Sequence, residues 1–494
     1  MTNYTKKAAH GSAVVFIGIM LAAFLGYLIR VVLARNLTVK EYGLFYAVYT
    51  FVLFFYLFKD LGFGTATIKY ISEFNVNKEN NLIKSIISYT LTIQLISSGI
   101  VVGAFLILSN VLANYYFKDP FAAIILQFLS IMLILNVFDD LLKKCFQGFQ
   151  EMFYFSIMEF VKNLLTLSLI LVFFYYNFGL FSPIYAFVLV GPLMFVIFLP
   201  FFLKKFNFFK YKNKYSKSLL KKLTYFAIPS VLTLVGAKFI GYIDVLLLTY
   251  FKSLAEVGVY SVVLPTAILC LYLGRSIALV MLPMVSELWT KKEYDKVSLG
   301  IRLLQKYVFL IIIPLVFTLI AFSELFLRIS FGVEYIQGTL ALQILLVGVI
   351  FYTLARINNN VISGTGNPKI VTKVITYSAL INLGINLILI PKYGINGAAL
   401  ATAVSYIFAF VFSNIKLSKI VKTRLPWLNL SKIFFLGVVM VLMIFYLQKI
   451  IHLNVWLELA VILLIATVIY SVLVFSLNLI TIKEIKKIIK SASV

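Results

Sequence analysis

Fourteen apolar segments, each about as long as a bilayer is thick, follow one another along the chain and leave no stretch for a water-soluble core. They lie at about 12–34, 42–64, 83–112, 120–142, 152–176, 181–203, 223–250, 256–286, 301–322, 337–360, 369–391, 394–415, 432–450 and 454–480. A helix needs roughly 20 apolar residues to cross about 30 Å of hydrocarbon. Composition agrees: 62% of the 494 residues are hydrophobic and 13% charged, against about 45–50% and about 25% in a soluble domain. The expected fold is all-α, a polytopic membrane protein with about 14 transmembrane helices. A soluble enzyme is excluded.

The net charge of +26 would suggest nucleic acid in a soluble protein. In a membrane protein it reads as the lysine and arginine excess of cytoplasmic loops, and no nucleic-acid partner is expected. With the N-terminus inside, 31 of the 44 basic residues fall on the inner side and only seven on the outer: Arg35, Lys40, Lys118, Lys252, Arg328, Lys392 and Lys449. Both termini are therefore expected in the cytoplasm, with the chain in the cytoplasmic membrane. The segment 204–222 holds eight lysines in nineteen residues. We read it as a solvated linker and topology signal, with binding to anionic headgroups as the competing reading. The tail Thr481–Val494 reads as a basic amphipathic end on the cytoplasmic surface. The first apolar segment is too long for a cleavable signal. Cys145 and Cys270 are expected to be free thiols.

The halves repeat. Arg30 to Gly43 resembles Asp244 to Gly258, and each passage runs through a span to a Ser-Glu pair, Ser72-Glu73 and Ser286-Glu287. The offset of about 215 recurs between Gln147-Gly148 and Ser363-Gly364, and between Phe178-Gly179 and Tyr393-Gly394. The expected organisation is an N-lobe (1–203, six spans), the basic linker (204–222), a C-lobe (223–415, six spans), and spans 13 and 14 with the tail (416–494). Six-span units start on the same side, so a pseudo-twofold axis along the membrane normal is expected. Two lobes around a cleft suit a transporter working by alternating access better than an enzyme.

Charges at the bilayer centre cost about 2.5–3.5 kcal/mol on insertion scales and mark function or close pairing. The basic ones here are Arg30, Lys59, Lys162, Lys238, Arg275 and Arg356; the acidic ones are Asp60, Glu159 and Asp244, with Asp139 and Asp140 at a span end. The excess is positive, so the cleft is expected to attract an anion. Glu159 and Lys162, three apart, can pair with each other. Asp139, Asp140, Lys143 and Lys144 can reach water by snorkelling. Arg30 has no acid three or four residues away, and Asp60 is its expected partner or gate. Arg30, Lys59, Lys238, Arg275 and Arg356 remain as candidate substrate-binding cations. Guanidinium groups bind phosphate oxygens in a bidentate fork, so Arg30 and Arg275 could hold a diphosphate without catalytic machinery.

Asp244 stands apart. Asn382 and Asn386 are spaced to share one helix face, as are Thr402 and Ser405. Such carboxylate, amide and hydroxyl oxygens suit a hard coupling cation such as sodium, with a proton as the alternative; packing between helices is the competing reading. His10 and His452 sit at span ends, so no histidine-based metal or acid–base site is expected. There is no nucleotide-binding phosphate loop, and Ser363 to Pro368 reads as a turn. No cofactor and no enzymatic activity are expected.

Leu33 to Phe45 (LARNLTVKEYGLF) and Phe58 to Glu73 (FKDLGFGTATIKYISE) resemble the opening signature of the polysaccharide transporter family, the O-antigen and capsule repeat-unit flippases. Phe146 to Gln150, Ser363 to Lys369 and Tyr393 to Ala399 are similar to its later motifs. The resemblance covers nearly the whole chain. It implies fourteen helices in two six-helix lobes plus two, and a polyprenyl-pyrophosphate-linked oligosaccharide moved from inner to outer leaflet. It also implies an ion gradient as energy source, as in an antiporter, and cavity cations on the pyrophosphate. Asp244, Asn382, Asn386 and Thr402 are similar in placement to a sodium site of lipid II flippases. Polymerase or synthase machinery is an expected partner, and a monomer the expected transport unit. Rival readings are a multidrug/toxin extruder or lipid II flippase on the same scaffold and, more remotely, a membrane-embedded polymerase or glycosyltransferase.

Overall fold

The computed structural model describes residues 3–423, 425–451 and 454–480, except for the side chains of 3–17, 19, 229–238 and 272–284. Lys238, Arg275, His10, His452 and the tail 481–494, singled out above, thus lie outside the described side chains or residues. In chain order the helices are α1 (Asn3–Asn36), α2 (Val39–Asp60), α3 (Phe63–Val76), α4 (Asn80–Leu112), α5 (Phe121–Gly148), α6 (Met152–Tyr175), α7 (Phe181–Lys205), α8 (Lys217–Phe251), α9 (Leu254–Thr290), α10 (Tyr294–Ala321), α11 (Ser323–Ser330), α12 (Thr339–Gly364), α13 (Pro368–Val421), α14 (Trp427–Ile450) and α15 (Val455–Ser476). No strand occurs among the described residues. Eleven helices there are long and apolar enough to cross a membrane. One of them, α13, is two helices joined at Gly394 (φ 56°, ψ −130°), as the segments 369–391 and 394–415 anticipate.

The expected span 42–64 stops early. Helix α2 ends at Asp60, Leu61 and Gly62 take left-handed φ values of 44° and 76°, and the short helix α3 follows. A side chain at Gly62 would overlap the Ala227 carbonyl of α8, so glycine serves both the turn and the close approach.

The repeat has a physical basis. At the start of α2 the Glu41 amide donates to Thr38 Oγ1 (3.3 Å) and the Thr38 amide donates to the Glu41 carboxylate (2.9 Å), forming a capping box. Ahead of α9, 215 positions on, the Glu256 amide donates to Ser253 Oγ (3.3 Å). Two residues past each glutamate stand Gly43 and Gly258, and they face each other. A Cβ on Gly43 would overlap the Leu254 carbonyl, and one on Gly258 would overlap the Val39 carbonyl and lie 3.1 Å from the Gly43 nitrogen. The later landmarks also meet in pairs. Gly148 abuts Ile71, and the Ser286 hydroxyl donates to the Gly364 carbonyl (2.9 Å). The turn after Gly364 is closed by Gly366 (φ 83°) and Pro368 at the start of α13.

The chain divides into two compact units, one of Met1–Val262 with Asn382–Ala398 and one of Val263–Ile381 with Ala399–Val494. In the first, apolar faces of α3 to α8 form a continuous core that includes Phe63, Tyr70, Phe146, Phe198 and Leu223. In the second, α14 and α15 pack on α10. Gly437 lies against Ile313 and Phe317, Phe317 meets Phe434 edge-on, and Tyr470 donates to the Leu310 carbonyl (3.0 Å). Cys145 and Cys270 are buried and unpaired.

The linker 206–216 is exposed along most of its length, as a solvated linker should be, but it is not a free tether. It has no helix, yet it lies along the start of α4. The amides of Lys212 and Lys214 donate to Asn81 Oδ1 (3.0 Å) and Ser85 Oγ (2.7 Å), and Lys84 Nζ donates to the Tyr211 carbonyl (2.7 Å).

Candidate functional site

Six membrane-embedded charges on α2, α5 and α6 settle into pairs. Lys59, at the end of α2, is buried, with its side chain 1% exposed, and donates to Asp140 of α5 at 2.8 Å. Its ammonium also stands 4.1 Å from the Tyr56 ring centre. Lys162 of α6 donates to Asp139 of α5 at 2.8 Å, and Lys143 of α5 pairs with Glu159 of α6. These findings correct three expectations. Lys59 is not presented as an open cavity cation. Glu159 and Lys162 pair across helices rather than with each other. Asp139 is buried and neutralised rather than snorkelling. Burying a charge is costly unless a partner neutralises it, and three lysines and three carboxylates on α2, α5 and α6 meet that requirement together.

The pairs surround a cavity of about 250 Å³. Tyr49, Tyr56, Asn136, Asn163 and Thr166 add hydroxyls and amides to its wall, beside Met158, Phe187 and Met194. Its wall holds three carboxylates, Asp139, Asp140 and Glu159, and two lysines, Lys143 and Lys162, with Lys59 as a third lysine bonded to Asp140, so this cavity lacks the positive excess that the composition of the spans suggests.

Asp60 and Arg30 do not pair either. Gln94 Nε2 (2.5 Å) and the Gly64 amide (3.1 Å) both donate to Asp60 Oδ1, so Asp60 caps the start of α3. Arg30, half-buried on α1, lies with its guanidinium 4.6 Å from the Tyr46 ring centre and donates from Nη1 to the Ser261 carbonyl at 3.0 Å. Both are neutral partners, and no ion pair to Arg30 occurs among the described residues.

A second cluster brings Asp244, Asn382 and Asn386 together. Asp244 of α8 is fully buried. Asn386 Nδ2 donates to its Oδ1 at 2.6 Å and to Asn382 Oδ1 at 3.1 Å. The Tyr260 hydroxyl of α9 donates to Asp244 Oδ2 at 2.6 Å. Asn386 Oδ1 is buried without a hydrogen-bond partner. A buried carboxylate, two amide oxygens, one of them orphaned, and a phenol oxygen suit an alkali cation or a proton. No cluster of three or more His, Cys, Asp or Glu side chains able to hold a metal occurs among the described residues. Tyr260 was not singled out in the sequence; its signal there was only the repeat, which places it two positions after Gly258.

In the second unit, Thr402 is buried on the later half of α13. Arg356 is half-buried on α12, one turn after Tyr352, whose ring stacks on Tyr406 at 4.1 Å. An apolar groove of about 770 Å³ runs between α14 and α15, lined by Phe434, Phe435, Val438, Leu473 and Leu477 with Lys432 at its edge.

A family model described as polysaccharide biosynthesis protein matches residues 8–289, more than half of the chain, and one described as MatE matches 229–388. An uncharacterised membrane protein of Methanocaldococcus jannaschii is 29% identical over 501 residues, 99% of either chain. A probable low-salt glycan biosynthesis flippase of Haloferax volcanii, Agl15, is 26% identical over 214 residues, 42% of this chain and 45% of its own. Among solved structures, a lipid II flippase, MurJ, in an inward closed conformation superposes with a TM-score of 0.76 at 18% identity, over 93% of this chain and 98% of that one.

Proposed function

This chain belongs to the polysaccharide biosynthesis protein family, and from that premise we propose that it moves a polyprenyl-pyrophosphate-linked oligosaccharide from the inner to the outer leaflet of the cytoplasmic membrane. At the coarser level it is a multi-pass membrane protein of the transporter superfamily that also holds the MurJ and multidrug exporters. The observation that carries the finer reading is Arg30. It is a guanidinium within a membrane helix, held by an aromatic face and a carbonyl instead of a carboxylate. Its charge is thus left for an incoming anion, and its fork fits phosphate oxygens. Arg275 and Arg356 are proposed as further substrate-binding cations. The polar wall beside the Lys162–Asp139 pair offers hydroxyls and amides to sugar, and the groove between α14 and α15 offers an apolar surface to a polyprenyl chain.

We further propose ion coupling through Asp244. A bound sodium ion would bring positive charge to the Asp244 carboxylate; a proton would remove its negative charge. The chain's own residues connect that event to Arg30. Tyr260 donates to Asp244, and the carbonyl of the next residue, Ser261, accepts from Arg30. One turn of α9 therefore touches both sites, and a change of partner at Asp244 acts on the backbone that orients Arg30.

The test is flipping of a radiolabelled undecaprenyl-pyrophosphate oligosaccharide in proteoliposomes, with and without a sodium gradient. Wild type should move it and Arg30→Ala should not. Full transport by folded Arg30→Ala would overturn the role of Arg30. Failure of the wild type to move any such lipid would overturn the substrate class.

A further inference from the structure

The linker between α7 and α8 carries a problem that the positive-inside rule does not solve. A topology signal needs only charge, yet this segment is fixed in place. Besides the contacts to Asn81, Ser85 and Lys84, the Ser88 hydroxyl donates to Asn213 Oδ1 (3.2 Å), Asn80 donates to the Tyr211 hydroxyl (3.1 Å) and Tyr89 to the Ser216 carbonyl (3.3 Å). Tyr211 stacks on Phe206 at 5.1 Å, and Tyr215 meets Tyr89 edge-on at 5.0 Å. Nearly all of these bonds use the linker's backbone and uncharged side chains. The ammonium groups are left outward. Lys205 pairs with Glu151 and Lys222 with Glu73. Lys210, Lys212, Lys214, Lys217 and Lys221 are exposed and have no acidic partner among the described residues. Phe209, 79% exposed, stands among them, with Tyr215 and Tyr225 also exposed.

Five unneutralised lysines held within twelve residues repel one another, and the fixed backbone keeps them from spreading. Such an arrangement is stabilised by an anion with several negative groups close together. The exposed phenylalanine and tyrosines select the kind of anion: aromatic rings beside lysines are favoured where headgroups meet acyl chains, and a soluble phosphate has no use for them. The lysines follow directly on the apolar segment of α7, so the surface they form stands at the edge of the bilayer. We propose that the docked linker is a binding site for anionic phospholipid headgroups of the leaflet it faces. The lysines contact phosphate, Phe209 and Tyr225 enter the interface, and Asn81 and Ser85 of α4 hold the loop in the binding shape. Basic clusters beside membrane helices bind anionic lipid through charge and lose it with salt. Here a preformed shape adds to that attraction.

The experiment uses the full-length protein in neutral detergent, titrated with dioleoyl phosphatidylglycerol or dioleoyl phosphatidylcholine and read by native mass spectrometry as lipids retained. Wild type should retain phosphatidylglycerol at least tenfold more tightly than phosphatidylcholine. The quadruple variant Lys210→Gln, Lys212→Gln, Lys214→Gln, Lys217→Gln should lose that preference while keeping its melting temperature in phosphatidylcholine. Asn81→Ala with Ser85→Ala leaves every lysine in place and should weaken retention several-fold. Inorganic phosphate at millimolar concentration should not displace the lipid. Equal retention of both lipids by wild type, an undiminished preference in the quadruple variant, or unchanged retention after Asn81→Ala with Ser85→Ala would each overturn the proposal. Displacement by inorganic phosphate would overturn it in favour of a soluble anion.

Discussion

Replacing Lys59 separates a framework charge from a substrate-binding one. The Lys59–Asp140 pair spans 2.8 Å, with side-chain exposures of 1% and 25%. At an effective dielectric constant of about 20, two unit charges at that distance attract by about 6 kcal/mol, and much of this offsets their desolvation. Removing one partner alone strands the other charge and is expected to cost about 3–5 kcal/mol, whereas replacing both by apolar groups of similar volume is often close to neutral. Lys59→Met and Asp140→Leu should therefore each lower the melting temperature in detergent, by roughly 6–10 °C at about 2 °C per kcal/mol. Lys59→Met with Asp140→Leu should recover most of the loss, and the cycle should be strongly non-additive. In proteoliposomes the double variant should keep most of the flipping activity. Additive losses would refute the energetic argument. A folded double variant with no transport would refute the framework role and restore Lys59 as a substrate contact.

Three further outcomes are expected. Asp244→Asn should make transport insensitive to sodium and proton gradients in proteoliposomes, and an unchanged dependence would remove Asp244 from the coupling. Tyr260→Phe should leave the protein folded but weaken stabilisation by sodium in a thermal-shift titration several-fold, since a hydroxyl donor to Asp244 is lost; an identical titration would show that the hydroxyl does not act on that site. Gly43→Ala should cost about 2–3 kcal/mol, because the methyl group meets backbone that has no other place to go. Expression and melting temperature would report this, and wild-type values would contradict the close approach.

The spans were legible because a bilayer imposes a length and a composition that a one-dimensional sequence can show. The repeat was legible for a related reason: Thr38 with Glu41 and Ser253 with Glu256 are local caps, and a local device keeps its spacing. The partners of the charges were not. A pair three apart on a helix gains only about 0.2–0.5 kcal/mol, so Glu159 and Lys162 take the partners that α5 offers across the interface, and nothing local in the sequence states that interface. Asp60 shows the same limit, since its acceptor role depends on the helix ending at Leu61 and Gly62. The docking of the linker did leave a trace. Asn81, Ser85 and Ser88 fall on one face of α4 by their spacing, a polar stripe on an apolar helix that asks for a partner.

Gly43 and Gly258 carry a consequence for how the chain can vary. Each leaves open the space that the facing helix's backbone occupies, so no second side-chain substitution can compensate for a change at either one. In a saturation mutagenesis screen both positions should tolerate glycine alone, although neither glycine has a side chain to offer to lipid, sugar or ion. Such intolerance is the mark of a place where two helices touch main chain to main chain, at a separation that any side chain would force apart.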